Sequence, residues 1–174
     1  MHNISIIKVG IQDVEKLQAI GRVTFSQTFA AYNNAEDMEA YLNTSYAIEK
    51  LSAEINNPDS AFYFAKDGEN VVGYLKVNTG TAQSEKNDAR AFEIERIYVD
   101  KAYLGQKIGQ LLFDKAISLA KSKNAVYVWL GVWEENHRAL AFYTKNGFVP
   151  FDKHIFKLGN DAQTDIMMKL ELAH

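Results

Sequence analysis

The chain has 174 residues, no cysteine, and 19 basic against 22 acidic side chains for a net charge of −3, a size suited to one domain, residues 1–174, with its own core. Absence of thiols excludes a disulfide framework, thiol catalysis and thiolate metal sites, and fits a reducing compartment. The acidic balance argues against nucleic acid, whose phosphates need a surplus of Lys and Arg on one face, and suits a cationic partner better. The first residues lack the basic and apolar regions of a signal peptide, and no apolar run reaches membrane-spanning length, so the expectation is a soluble, cytoplasmic protein without a membrane partner.

Residues 4–9 read as a first strand closed by Gly10. A helix over 11–32 follows, with Val14, Leu17, Ile20 and Phe25 on one stripe and Gly21 as a bend point. Asn34, three residues before Asp37, has the spacing of an N-cap for a second helix through 42. A further helix over 48–56 stops ahead of Pro58, because the residue before proline is pushed out of the helical region. Strands over 61–66 and 71–78 are joined by the turn-forming Asp67, Gly68, Glu69 and Asn70, and 79–89 is a polar loop.

The stretch from Glu93 to Gly109 is the most informative. Residues 93–99 alternate as a strand, and from Ile108 the residues Leu111, Leu112, Ala116 and Leu119 fall at helical spacing to about 123. Gly105 and Gly109 lie between the strand and the helix. A glycine-bearing turn into a helix leaves backbone N–H groups at the positive end of the helix dipole, a ready site for a phosphate-bearing cofactor. The turn lacks the G-x-x-x-x-G-K-[ST] of a P-loop and the G-x-G-x-x-G of a dinucleotide fold, which excludes nucleotide hydrolysis and hydride transfer.

Residues 126–133 are apolar on both faces, the mark of a central strand. Asn136 is placed to cap a short helix over 137–146, and Gly147 occupies its left-handed C-terminal position. Strands over 148–156 and 165–172 close the chain across Gly159, Asn160 and Asp161. The fold class is therefore α/β, a mixed, mostly antiparallel sheet of about seven strands with four to five helices and one parallel crossover at its centre.

Two segments together resemble motifs A and B of the GCN5-related N-acetyltransferase (GNAT) family. They are the strand ending Arg96, Ile97, Tyr98, Val99 with its turn Leu104, Gly105, Gln106, Lys107, Ile108, Gly109, and the run from Asn136 to Phe148. The resemblance covers the chain from about Phe62 onward and implies splayed parallel strands at the centre of the sheet. It departs from the family turn Q/R-x-x-G-x-G/A at Leu104 and at Lys107, which stands where a glycine is usual. Within the family the chain looks most like the PaiA-type polyamine N-acetyltransferases, through Trp129 to Asn136 and Gly159 to Asp165.

The resemblance implies acetyl-CoA as cosubstrate, held by Ile97, Tyr98, Val99, Leu104, Gly105, Gln106, Lys107, Ile108, Gly109, Asn136 and Tyr143, and a primary amine, a polyamine such as spermidine, as acceptor. Such a transfer needs a proton taken from the ammonium and one given to the departing thiolate. Tyr143 matches the family's tyrosine donor. Glu93 and Glu95 share a strand face by the two-residue period and are the candidate bases, with Glu93 preferred because some family members carry a catalytic glutamate six positions before the residue at Val99. Glu36, Asp37 and Glu39 are expected to hold the distal ammonium groups. His2, His137, His154 and His174 show no metal-ligand spacing, so no metal is expected. The alternatives are transfer to another small amine, an amino acid or a peptide N-terminus, and a CoA-binding regulatory module without transfer activity; a homodimer is left open.

Overall fold

The computed structural model describes residues 3–85, 87–159 and 161–173, so His2 and His174, and Asn160 of the last turn, lie outside the described residues. Seven strands form one sheet: β1 (Ile4–Lys8), β2 (Ser60–Asp67), β3 (Asn70–Thr79), β4 (Phe92–Val99), β5 (Tyr127–Trp133), β6 (Val149–Leu158) and β7 (Asp161–Glu171). Their order is β1-β2-β3-β4-β5-β7-β6, with every pairing antiparallel except β4 to β5. Among the described residues, five α-helices cover the two faces: α1 (Val14–Phe29), α2 (Ala35–Ser45), α3 (Ile48–Asn56), α4 (Ile108–Ser122) and α5 (His137–Lys145).

The helix expected over 11–32 is α1 with a single 3-10 turn at each end, Ile11–Asp13 and Ala30–Tyr32. The entry turn is closed by Gly10 N–H donating to Asp13 Oδ2 at 3.0 Å, and the exit stops where Asn33 becomes extended. The helix runs unbroken through Gly21. A Cβ there would lie 2.3 Å from Tyr46 Cε1, so the glycine makes room for the ring of the residue that ends α2. Asn34 caps α2 as expected, its Oδ1 accepting from Asp37 N–H at 2.7 Å. The helix runs on to Ser45 rather than stopping at 42, carrying Tyr46 into the core.

β6 and β7 are longer than alternation predicted. The mostly polar run Asp161, Ala162, Gln163 and Thr164 pairs with Leu158, Lys157, Phe156 and Ile155, because backbone N–H and C=O groups find partners in a ladder whatever the side chains are. Gly159, at φ +61°, supports the turn between the strands.

Two apolar layers sandwich the sheet. On one face Leu112, Phe113 and Ala116 of α4 pack on Leu75, Ile94, Leu130 and Phe148. On the other, Leu17, Phe25, Leu42 and Leu51 of α1 to α3 cover Phe62, Phe64 and Tyr74. β5 is buried from both sides, Val128 and Leu130 toward the α4 layer and Trp133 toward α1, as its continuous apolar run implied. Truncating a fully buried side chain such as Leu112 to Ala costs about 2–5 kcal/mol, so these layers hold the central strands rigid.

Two irregularities at β4 create the site. β4 and β5 pair only at Phe92 with Val128 and Glu93 with Trp129, then splay apart, which frees the backbone groups of the C-terminal half of β4. On the other edge the register with β3 shifts, from Lys76 opposite Arg96 to Val77 opposite Ile94, leaving Glu95 as an extra residue. A bulge of this kind re-aims side chains beside it.

Candidate active site

The splay opens a cavity of about 770 Å³ between β4, the start of α4 and α5. Its floor is the turn 100–107. Asp100 accepts from Ala102 N–H at 3.1 Å to start that turn, and Gly105 (φ +83°) and Lys107 (φ +64°) are both left-handed. Lys107 thus adopts the conformation in which glycine is favoured, so its match to a glycine position in the motif is conformational even though the side chain differs. The first intrahelical bond of α4 is Leu111 N–H to Lys107 O at 3.2 Å, and the preceding amides point out of the helix start.

Gly109 is informative by what surrounds it. An added Cβ would meet only Val99 Cγ2, at 3.9 Å, and its φ is not in the left-handed region, so neither packing nor backbone conformation in this protein demands glycine there. The space a side chain would fill belongs to the cavity. Four cations line the same cavity, Lys101, Lys107, Arg138 and Lys145, against one carboxylate, Glu135. A phosphate-bearing ligand fits this combination of helix amides, vacant Cβ space and positive charge.

Of the residues named from sequence for this ligand, Ile97, Tyr98, Val99, Leu104, Gly105, Lys107, Ile108, Gly109, Asn136 and Tyr143 line the cavity. Gln106 is exposed and outside its lining. Asn136 accepts from Ala139 N–H at 3.2 Å, so its oxygen is used as a helix cap while the residue borders the cavity.

A second cavity, about 290 Å³, lies on the α1 side of β4 and adjoins the first. Ile97, Tyr98, Trp133, Asn136 and Tyr143 line both, so the two spaces meet at α5 and the splayed strand. Tyr143 is buried, and burial pushes its phenol above the ordinary range, keeping the proton on the oxygen. The smaller cavity is bordered by the carboxylates of Glu85, Glu93, Glu95 and Asp165 and by Arg96 and His154. Glu36, Asp37 and Glu39 line neither space: Asp37 serves the α2 cap and Glu39 pairs with Arg22 at 3.2 Å on the surface.

Glu93 and Glu95 are brought together but into different environments. Glu93 is 2% exposed and accepts from Asn78 Nδ2 at 2.9 Å, from Ser84 N–H at 2.7 Å and from Ser84 Oγ. Its burial pushes the carboxyl above its ordinary range, and the hydrogen bonds only temper the rise. Burial acts upward on Glu95 too, but the Lys76 ammonium at 2.8 Å and the Arg96 guanidinium outweigh it and hold that carboxyl below the ordinary range. Lys76 is shared with Glu54 at 3.1 Å. Two neighbouring carboxylates driven in opposite directions is a pattern that separates a proton acceptor from a fixed charge.

Arg96 stacks on the Tyr46 ring at 4.6 Å, and its Nη1 is buried without a hydrogen-bond partner. At the outer end, His154 pairs with Glu85, and burial raises Asp165 to about 6, tempered by His154. Sequence reading missed Lys76, Asn78, Ser84, Arg96 and Asp165, because their placement depends on the bulge and on long-range strand pairing. Arg138 and Lys145, inside the quoted motif, were readable as cations near the turn once a phosphate ligand was in view. Among the described residues, no group of three His, Asp or Glu side chains is arranged to hold a metal ion.

Residues 25–148 match the model of the acetyltransferase (GNAT) family. The chain belongs to this family. It is 41% identical over 173 residues, 99% of both chains, to the uncharacterized N-acetyltransferase in the pepI 3′ region of Lactobacillus delbrueckii subsp. lactis. It is 30% identical over 150 residues, 84% of this chain and 88% of the relative, to the spermidine N(1)-acetyltransferase of Thermoplasma acidophilum. The crystal structure of the PaiA N-acetyltransferase from Thermoplasma acidophilum in complex with coenzyme A superposes with a TM-score of 0.80 at 28% identity, covering 98% of this chain and 99% of that one. This GNAT protein is accordingly an N-acetyltransferase with acetyl-CoA as acetyl donor.

Proposed function

We propose that this GNAT protein acetylates a primary amine of a small polycation, of the spermidine class, in a ternary complex with acetyl-CoA. The observation that carries the reading is the division of the site: one cavity walled by four cations and an adjoining one bordered by four carboxylates, meeting at Tyr143. The similarity to a spermidine acetyltransferase supports it. In this reading Glu93 takes the ammonium proton, and the free amine nitrogen attacks the thioester carbonyl. Tyr143 Oη then gives its proton to sulfur as the C–S bond breaks, and the adduct nitrogen, which still carries one proton more than the amide, returns that proton to the phenolate, so the net reaction leaves one proton, the one held by Glu93. Backbone groups of Ile97 to Val99, freed by the splay, flank the reacting carbonyl.

A second reading, an acceptor that also carries a carboxylate or carbonyl such as an amino acid or peptide N-terminus, is favoured by one observation. Arg96 borders the acceptor cavity with a guanidinium N–H that has no partner. Matched acceptors separate the two: cadaverine and lysine differ only by the carboxylate. CoA release is measured with spermidine, cadaverine, lysine and a short peptide. The polycation reading expects the highest kcat/KM for spermidine and a KM that rises with salt, since surface-accessible charge pairs are screened. Lysine or peptide turned over far faster than any polyamine, or a KM insensitive to salt, removes it.

A further inference from the structure

We infer that Asn78 is a positioning residue that holds the Glu93 carboxylate in its proton-accepting orientation, with Ser60 setting which way its amide points. The inference rests on the reading of Glu93 as the base. Asn78 is fully buried on β3, directly opposite Glu93 in the ladder. A primary amide offers two N–H donors and one carbonyl acceptor, and which end points where is decided by its partners. Ser60 Oγ donates to Asn78 Oδ1 at 2.8 Å across the β2–β3 pair. That leaves Nδ2 facing β4, where its two hydrogens go one each to Glu93 Oε1 at 2.9 Å and Glu95 Oε1 at 2.8 Å. The flipped amide would set a carbonyl oxygen against two carboxylates and deprive Ser60 of its acceptor, so the observed orientation is favoured from both sides.

The bulge makes this arrangement possible. In a regular ladder one buried amide opposite Glu93 would be two residues from reach of Glu95, whereas the register shift draws both carboxylates onto a single nitrogen. Lys76 and Arg96 then complete the environment of Glu95, and Ser84 approaches Glu93 from the 80–91 loop. The other charged or titratable groups around the same space are Glu54 behind Lys76, Glu85, His154 and Asp165 at the outer end, Tyr41 and Tyr98 on the wall, and Tyr143 at the junction with the larger cavity. Asn78 is the one neutral group bonded to both carboxylates. Without it, the partners left to Glu93 among the described residues are the backbone and hydroxyl of Ser84.

Two variants test this against the pH profile of kcat at saturating acetyl-CoA and acceptor, which the pH dependence of acceptor binding does not enter, with spermidine as acceptor, or with cadaverine or lysine if either turns over faster. Asn78→Leu keeps the volume and removes both donors. Losing a donor to the ionised form makes that form less favourable, so the acid limb moves up by about one pH unit. Ser60→Ala frees the amide to rotate and moves the limb in the same direction by less. Folding is confirmed by a retained thermal shift with acetyl-CoA, and if Asn78→Leu does not fold, Ser60→Ala alone decides. An acid limb at the wild-type pH in the folded variants overturns the inference. Glu93→Gln separates the failures: if it leaves the limb in place the base assignment falls, and if it abolishes the limb while the Asn78 and Ser60 variants leave it unmoved, only the positioning role falls.

Discussion

Gly21→Ala is the perturbation that most sharply separates close packing from helix flexibility. In α1 the new methyl group would lie 2.3 Å from Tyr46 Cε1 and 2.5 Å from Cδ1, well inside contact distance. Tyr46 has little freedom to yield: it is fully buried, its hydroxyl lies 3.0 Å from that of Tyr74, and its ring supports Arg96 at 4.6 Å. Overpacking of this kind costs about 1–3 kcal/mol, and weakening the tyrosine hydroxyl pair costs about 1 kcal/mol more. The intrinsic preference of a helix for Ala over Gly returns about 1 kcal/mol. The net is a loss of about 1–3 kcal/mol, or a fall in Tm of about 2–12 °C for a chain of this length. Circular-dichroism melts of the two proteins read this directly. The stabilisation conferred by acetyl-CoA should persist, because the larger cavity does not involve Tyr46. A variant with equal or higher Tm would refute the packing account and restore Gly21 as a mere weak point in the helix.

Tyr143→Phe keeps the ring in the core and deletes the proton donor, so kcat should fall roughly ten- to a thousandfold with acetyl-CoA affinity little changed; an unaltered kcat in steady-state assays assigns protonation of the thiolate to another group. Gly109→Val should fold normally, since its Cβ meets only Val99 at 3.9 Å, yet lose the thermal shift that acetyl-CoA gives the wild type; a retained shift places the pyrophosphate elsewhere. Asp165, raised to about 6, is ionised above that pH and neutral below it. Spermidine affinity, measured calorimetrically, should therefore strengthen as pH rises through about 6, and Asp165→Asn should flatten that dependence. The same dependence in the variant would exclude Asp165 from acceptor binding.

The legible parts of the molecule were those written in local pattern. Alternation over 93–99, the helical stripe after Ile108, the double-sided apolar run of β5 and the caps at Asn34 and Asn136 all depend on residues within one turn or one strand, and each appears in the structure where the pattern put it. Gly147, at φ +95°, is left-handed as its place after the helix required. What local pattern hid were consequences of pairing. The bulge at Glu95 has no signature in its own sequence, yet it decides that Arg96 joins the glutamates at the smaller cavity and that Asn78 reaches both carboxylates. The extension of β7 through Asp161 to Thr164 was obscured by polar side chains on an outer hairpin. The close approach of Tyr46 to Gly21 was hidden too, because a glycine that admits a distant ring looks, in sequence, like any other helix glycine. The acidic cluster of Glu36, Asp37 and Glu39 lines neither cavity for a related reason: charge proximity in sequence does not tell which way a helix faces.

The division of the site into a cationic cavity and a carboxylate-bordered one, joined at Tyr143, is most directly tested by identifying the product. The protein is incubated with acetyl-CoA and spermidine, and the amine is analysed by mass spectrometry alongside free CoA. The account predicts monoacetylated spermidine formed in equal amount to released CoA, at a rate that collapses in Tyr143→Phe and Glu93→Gln. Release of CoA with no acetyl group on the amine, or acetylspermidine formed equally well by both variants, would contradict it.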